Sequence, residues 1–104
     1  MNSIVRNNFK QLSVLFQSHQ VEKAYIFGSV LSNKLTVNSD LAFLIRFKPG
    51  LAPLQKGDLW WSLHDSLREL FNREIDLLTE DSLKNPYLIA EIHNKRKLIY
   101  GQPD

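Results

Sequence analysis

The sequence predicts an α/β (α+β) fold, a small mixed β-sheet of three to four strands with helices packed against it. Three observations lead there. Runs with helical spacing alternate with strand-like runs in the order α-β-(short α)-β-α-β-α-(β). One strand-like run, "LAFLIRF", is nearly continuously apolar, which suits a central strand covered on both faces. The 104 residues contain no repeat, low-complexity tract or linker and read as one domain over 1–104. A chain of this size buries roughly 60–65% of its unfolded surface, enough for one modest core.

Each element has its own signal. From Ser3 to His19, the apolar residues Ile4, Val5, Phe9, Leu12, Val14, Leu15 and Phe16 recur at three and four and predict one helix. "VEKAYIF" is dense in β-branched and aromatic residues and stops at Gly28, the pattern of a strand. Leu41 to Phe47 is the second strand. "KPGLAPLQKG" holds two prolines and two glycines and reads as a loop. Asp58 reads as the N-cap of a helix through Phe71, with Trp60, Leu63, Leu67, Leu70 and Phe71 on one stripe. Glu74 to Thr79 is a short third strand. Ser82 and Pro86 bracket the start of a last helix, and "KLIYG" ends the chain as a short edge strand.

Composition narrows the function classes. Hydrophobic content of 43% with 23% charge belongs to an ordered globular chain. With no cysteine, disulfides and thiolate zinc sites are excluded. The net charge is only +2 and the basic residues are scattered apart from Lys95-Arg96-Lys97, so no broad cationic face for nucleic acid is expected. No apolar run reaches a membrane span and the N-terminus lacks a signal peptide's apolar centre, which makes the cytoplasm the default expectation. His19, His64 and His93 fall on different helices without ligand spacing. Trp60 and Trp61 point about 100° apart on a helix, so one is expected on the sheet and the other partly exposed, fit for a partner or a second copy.

The stretches that could carry chemistry lie around the strand ends. Gly28-Ser29 follows the first strand; a glycine there lets backbone N–H groups approach a phosphate, and Ser29 can donate to its oxygens. Read alone, the dipeptide simply ends a strand. Ten residues after Ser29 comes Ser39-Asp40, at the entrance to the second strand. Asp40 reads either as turn chemistry or as a ligand for a hard cation such as Mg²⁺. Asp76 lies inside "EIDLLT", and by alternation it shares a face with Glu74 and Leu78, opposite Ile75 and Leu77. An acid in such a strand needs a partner, a metal or water.

Taken together, "FGS" at a strand end, "SDLAFLI" as the next strand and a later "EIDLL" resemble the minimal nucleotidyltransferases of the DNA polymerase β-like nucleotidyltransferase superfamily. Their pattern is Gly-Ser, about ten residues, Asp-x-Asp and a third acid on a later strand. The likeness spans nearly the whole chain. It implies an enzyme that uses ATP or another nucleoside triphosphate, with two Mg²⁺ ions clamping the attacking and leaving oxygens. Carried over by position, Gly28, Ser29 and Ser39 would hold the triphosphate. Asp40 would ligate metal, and Asp76 would ligate the second metal and help activate the acceptor hydroxyl. The resemblance also implies an all-helical HEPN-type partner, toward which the small protein acts as antitoxin.

Two departures weaken the pattern. Ala42 stands where the second acid of Asp-x-Asp belongs, and a methyl group ligates nothing; Glu74, one pleat from Asp76, is the candidate substitute. In "VLSNK" the family's basic residue after Gly-Ser is missing, with Lys34 the nearest replacement, while Asn33 stands in for a turn glycine. The expectation is therefore a nucleotidyltransferase-fold protein, catalytically impaired, that binds nucleotide or acts as the antitoxin-like partner of a HEPN protein. The alternatives are an active Mg²⁺-dependent enzyme transferring AMP to a protein or small-molecule hydroxyl, and a non-catalytic structural homodimer.

Overall fold

A computed structural model describes residues 3–27 and 41–102. In chain order these form helices α1 (Ser3–Asn7) and α2 (Phe9–Ser18), strands β1 (Val21–Phe27) and β2 (Leu41–Phe47), helix α3 (Pro53–Phe71) and strand β3 (Ile75–Thr79). A 3₁₀ turn (Glu80–Ser82), helix α4 (Pro86–Lys95) and strand β4 (Lys97–Tyr100) follow. The four strands make one mixed sheet in the order β3-β2-β1-β4. β1 is antiparallel to both β2 and β4, whereas β2 and β3 run parallel. The short helix expected between β1 and β2 falls outside the described residues.

The strand expectations hold: β1 and β2 span the expected residues, β2 is central, and β4 is a short edge strand. The helix boundaries need two corrections. One helix from Ser3 to His19 is instead two, divided at Asn8, whose φ of −111° and ψ of 16° leave the helical region. Asparagine offers the backbone competing local hydrogen bonds, and two stand in sequence here. Helix α3 begins at Pro53, so Asp58 lies inside it and is no cap. The fixed φ of Pro53 is preorganised for a first helical position, and the helix-forming Leu54, Gln55 and Lys56 carry the turn across Gly57. The start of α4 falls at Pro86, within the expected Ser82–Pro86 bracket, and Asn85 caps it: its Oδ1 accepts from the Tyr87 and Leu88 N–H groups at 2.9 and 3.3 Å.

The main core lies on the sheet face covered by α2 and α3. Leu41, Phe43 and Ile45 of β2 and Ile75 and Leu77 of β3 pack there with Leu12, Phe16, Leu63, Leu67 and Phe71. Phe43 is held between Phe16 of α2 and Phe71 of α3, with ring centroids 6.3 and 6.1 Å apart. The opposite face carries a smaller cluster of Tyr25, Leu44 and Ile92 under α4.

Ile92 is the only buried residue of α4, so polar contacts must fix that helix. Arg96, at its end, lies over the Tyr25 ring at 4.1 Å. Its Nη1 donates to Glu80 Oε1 at 3.4 Å, and the other Glu80 oxygen is 3.8 Å from Arg46 Nη1. Arg46 Nε in turn meets Glu22 at 3.1 Å. The chain Glu22–Arg46–Glu80–Arg96–Tyr25 thus ties α4 to β1, to β2 and to the end of β3. Arg96→Ala is expected to cost about 2 kcal/mol through the lost cation–π and charged hydrogen bonds. Hydrogen exchange checks this, with α4 amides losing protection ahead of those in β1 and β2.

Candidate functional site

Three strands meet in one row. Phe27, the last residue of β1, is the register partner of Ala42, and Ala42 is the register partner of Asp76 on β3. Paired residues of neighbouring strands point to the same side of a sheet, so the row faces away from the main core. Leu41 and Phe43, flanking Ala42, and Ile75 and Leu77, flanking Asp76, are all buried on the other side. Asp76 is exposed and Ala42 half-buried. The acid in "EIDLLT" therefore opens to water, on a strand that forms one edge of the sheet.

Gly28, Ser29, Ser39 and Asp40, with Asn33 and Lys34, lie outside the described residues. The strand ends that bear them are described. Phe27 directly precedes Gly28, Leu41 directly follows Asp40, and both belong to the end of the sheet where Ala42 pairs with Asp76.

Glu74 sits one residue before β3. Its backbone carbonyl accepts from the Leu41 N–H at 3.2 Å, and its carboxylate takes a hydrogen bond from Arg68 of α3 at 3.1 Å. That pair is exposed and worth about 0.2–1 kcal/mol, so little holds Glu74 to Arg68 against a competing cation. Leu78 does share the Asp76 face, as strand alternation predicts.

The donor set decides what the row could hold. Asp76 supplies one carboxylate and Ala42 beside it supplies none. No group of three or more His, Cys, Asp or Glu side chains among the described residues could hold a metal ion. A pair of Mg²⁺ ions sharing a bridging acid at position 42 does not fit this chain.

Sequence reasoning missed how β3 is bounded. Its edge away from β2 presents the carbonyls of alternate residues, and three in succession are taken by side chains. His64 Nε2 donates to the Ile75 carbonyl at 3.1 Å, Trp60 Nε1 to Leu77 at 3.0 Å, and Ser82 Oγ to Thr79 at 2.8 Å. The Trp60 and His64 rings stack 5.0 Å apart at 11°, one turn apart on α3. The His64 proton is accordingly assigned to Nε2. His19 is likewise structural: Nδ1 donates to the Leu15 carbonyl at 2.7 Å and Nε2 accepts from Ser62 Oγ at 2.9 Å. Trp60 is thus the tryptophan on the sheet, and Trp61 is 63% exposed.

A four-stranded mixed sheet under two helices, with the exposed Asp76 paired to the start of β2, is the frame that the comparisons with known proteins place in the nucleotidyltransferase class. The chain belongs to the polymerase beta nucleotidyltransferase family, whose model matches residues 10–104. A relative from Methanocaldococcus jannaschii, provisionally named as a protein adenylyltransferase, is 31% identical over 91 residues, covering 88% of this chain and 87% of its own. Among solved structures, a toxin–antitoxin with AMP-PNP superposes with a TM-score of 0.72 at 20% identity, over 91% of this chain and 74% of the other. A tri-AMPylated Shewanella oneidensis HEPN toxin in complex with its MNT antitoxin gives 0.60 at 17%, over 93% and 72%. At those identities the structures establish the fold.

Proposed function

We propose that this chain is a catalytically impaired nucleotidyltransferase that retains nucleotide binding and serves as the antitoxin-like partner of a HEPN-type helical protein. The observation that carries the impairment is the pairing of Ala42 with Asp76. Phosphoryl transfer leaves the protein mainly positioning and charge neutralisation, so a missing carboxylate at the centre of the site removes much of what the protein supplies. Losing even an outer partner of a metal site typically costs 10–100-fold, and a direct ligand should cost at least about that. Asp40 and Asp76 are the residues left to hold Mg²⁺, whose chemistry would be to neutralise triphosphate charge; Gly28, Ser29 and Ser39 are the candidates for holding the phosphates. The partner reading draws on the toxin–antitoxin assemblies that share this fold.

A second reading, an active Mg²⁺-dependent enzyme moving AMP from ATP to a protein or small-molecule hydroxyl, is favoured by the name of the M. jannaschii relative. Labelled ATP with Mg²⁺ or Mn²⁺ separates the two. The native chain is expected to transfer at background, at least about 100-fold below Ala42→Asp. Robust transfer by the native chain that disappears in Asp76→Asn would establish the active enzyme instead. Calorimetry with ATP tests the binding half: no heat with nucleotide or metal leaves only a scaffold.

A further inference from the structure

We propose that the solvent face of α3 is a docking surface for a partner helix whose apolar ridge is flanked by lysine or arginine. The helix buries Leu63, Leu67 and Phe71 against the sheet. On its far side Leu54, Asp58, Trp61 and Asp65 fall within an arc of about 60°. Leu54 is 86% exposed and Trp61 63%. Among the described residues, two large apolar side chains one heptad apart thus remain largely uncovered at the solvent pole of a helix. A lone exposed leucine needs no explanation, but an aligned leucine and tryptophan form the ridge of a helix-in-groove contact.

Trp61 is also held ready. It stands edge-on against Trp60, with centroids 4.8 Å apart at 90°, and Trp60 is pinned to β3 by its hydrogen bond to the Leu77 carbonyl. A rigid aromatic anchor loses little entropy when it is covered. Beside it, one turn earlier, is Gly57, where an added Cβ would meet nothing within 4 Å. Glycine inside a helix costs about 1 kcal/mol relative to alanine. No neighbour among the described residues requires it, whereas the close approach of a second helix backbone would.

Charge selects the occupant. Asp58 and Asp65 flank Trp61 on the same stripe, and both are exposed. In an antiparallel pairing of α3 with α3 of a second copy, centred on Trp61, Asp58 of one copy would lie across from Asp65 of the other, a like-charge juxtaposition. A basic helix meets the two acids, and the cation nearest the stripe, Arg68 one heptad after Trp61, is already paired with Glu74. The surface is separate from the Ala42–Asp76 row, so the proposal stands whether or not that row is active.

Two synthetic helices with the same leucine ridge, one flanked by lysine and the other by glutamate, provide the test by calorimetry at low salt. The lysine helix is expected to bind at least about tenfold more tightly, since like-charge contacts cost more than the 1.4 kcal/mol that tenfold represents. Trp61→Ser should abolish binding, and Asp58→Lys combined with Asp65→Lys should reverse the preference. Gly57→Ala should raise Tm and yet weaken binding. Equal affinity for the two helices, or undiminished binding by Trp61→Ser, would overturn the proposal. So would sedimentation showing Trp61-dependent self-association, which assigns the face to a second copy.

Discussion

Gly101→Ala is expected to unfold the β4 side of the sheet, at a cost of about 2–4 kcal/mol. Gly101 follows β4 directly and has φ of +89°, a region that L side chains rarely adopt. A Cβ there would also run into the Glu22 backbone carbonyl and lie 3.0 Å from Lys23 Cγ and 3.2 Å from Lys23 Cα. The carbonyl belongs to β1, a strand held on both sides, so it cannot yield without disturbing the sheet. Gly50 separates strain from overlap. Its φ is +90°, and an added Cβ would meet nothing within 4 Å. Gly50→Ala should therefore cost about 1 kcal/mol, the strain alone. Thermal unfolding reads both variants: at 4–8 °C per kcal/mol, Gly101→Ala should lose roughly 10–25 °C and Gly50→Ala about 5 °C. Equal losses would show that the approach to β1 does not matter.

Ala42→Asp is expected to make the stability of the fold depend on divalent metal. The substitution places two carboxylates on register partners of adjacent strands, roughly 4.8 Å apart. Like charges directly opposite destabilise a sheet, here by on the order of 1 kcal/mol because Asp76 is open to water. In EDTA the variant should melt about 5 °C below the native chain. Saturating Mn²⁺ at about 100 times its dissociation constant would return roughly 2.7 kcal/mol, carrying the variant above the native chain. The native chain, with no carboxylate at position 42, should respond far less. A variant with the same melting temperature in EDTA and Mn²⁺ would falsify the assignment of positions 42 and 76 to one site. This measurement needs no acceptor, so it remains informative if transfer is never observed.

Strand identity was legible where side-chain character alone decides it. Val21–Phe27 stands out because Val, Tyr, Ile and Phe outweigh its two charged residues, and Leu41–Phe47 because it is apolar apart from Arg46, its burial on both faces leaving little room for polar alternation. Helix starts were harder because a proline and a glycine each have two meanings. Pro53 and Gly57 look like loop residues in sequence, yet Pro53 opens α3 and Gly57 rides inside it. Asn85 could have been found, since an asparagine directly before a proline at the first helical position is itself a cap signal. The site divides similarly. That Asp76 shares its face with Leu78 follows from alternation. That it pairs with Ala42, some thirty residues distant, depends on a parallel register set by how "LAFLIRF" and "IDLLT" bury their other faces. The hold of Arg68 on Glu74 and the reach of Trp60 and His64 to β3 depend on where α3 lies, which no local pattern encodes.

The side-chain closure of β3 limits what kind of assembly this sheet can build. A sheet with two open edges can add copies at both ends and grow into a filament. Here one end is already terminated within the chain, since the carbonyls of Ile75, Leu77 and Thr79 are occupied by His64, Trp60 and Ser82. Among the described strands β4 is the edge left less hindered, and an edge that pairs with its own twin is consumed in doing so. A pairing of β4 with its own twin would close as a two-fold pair rather than a filament.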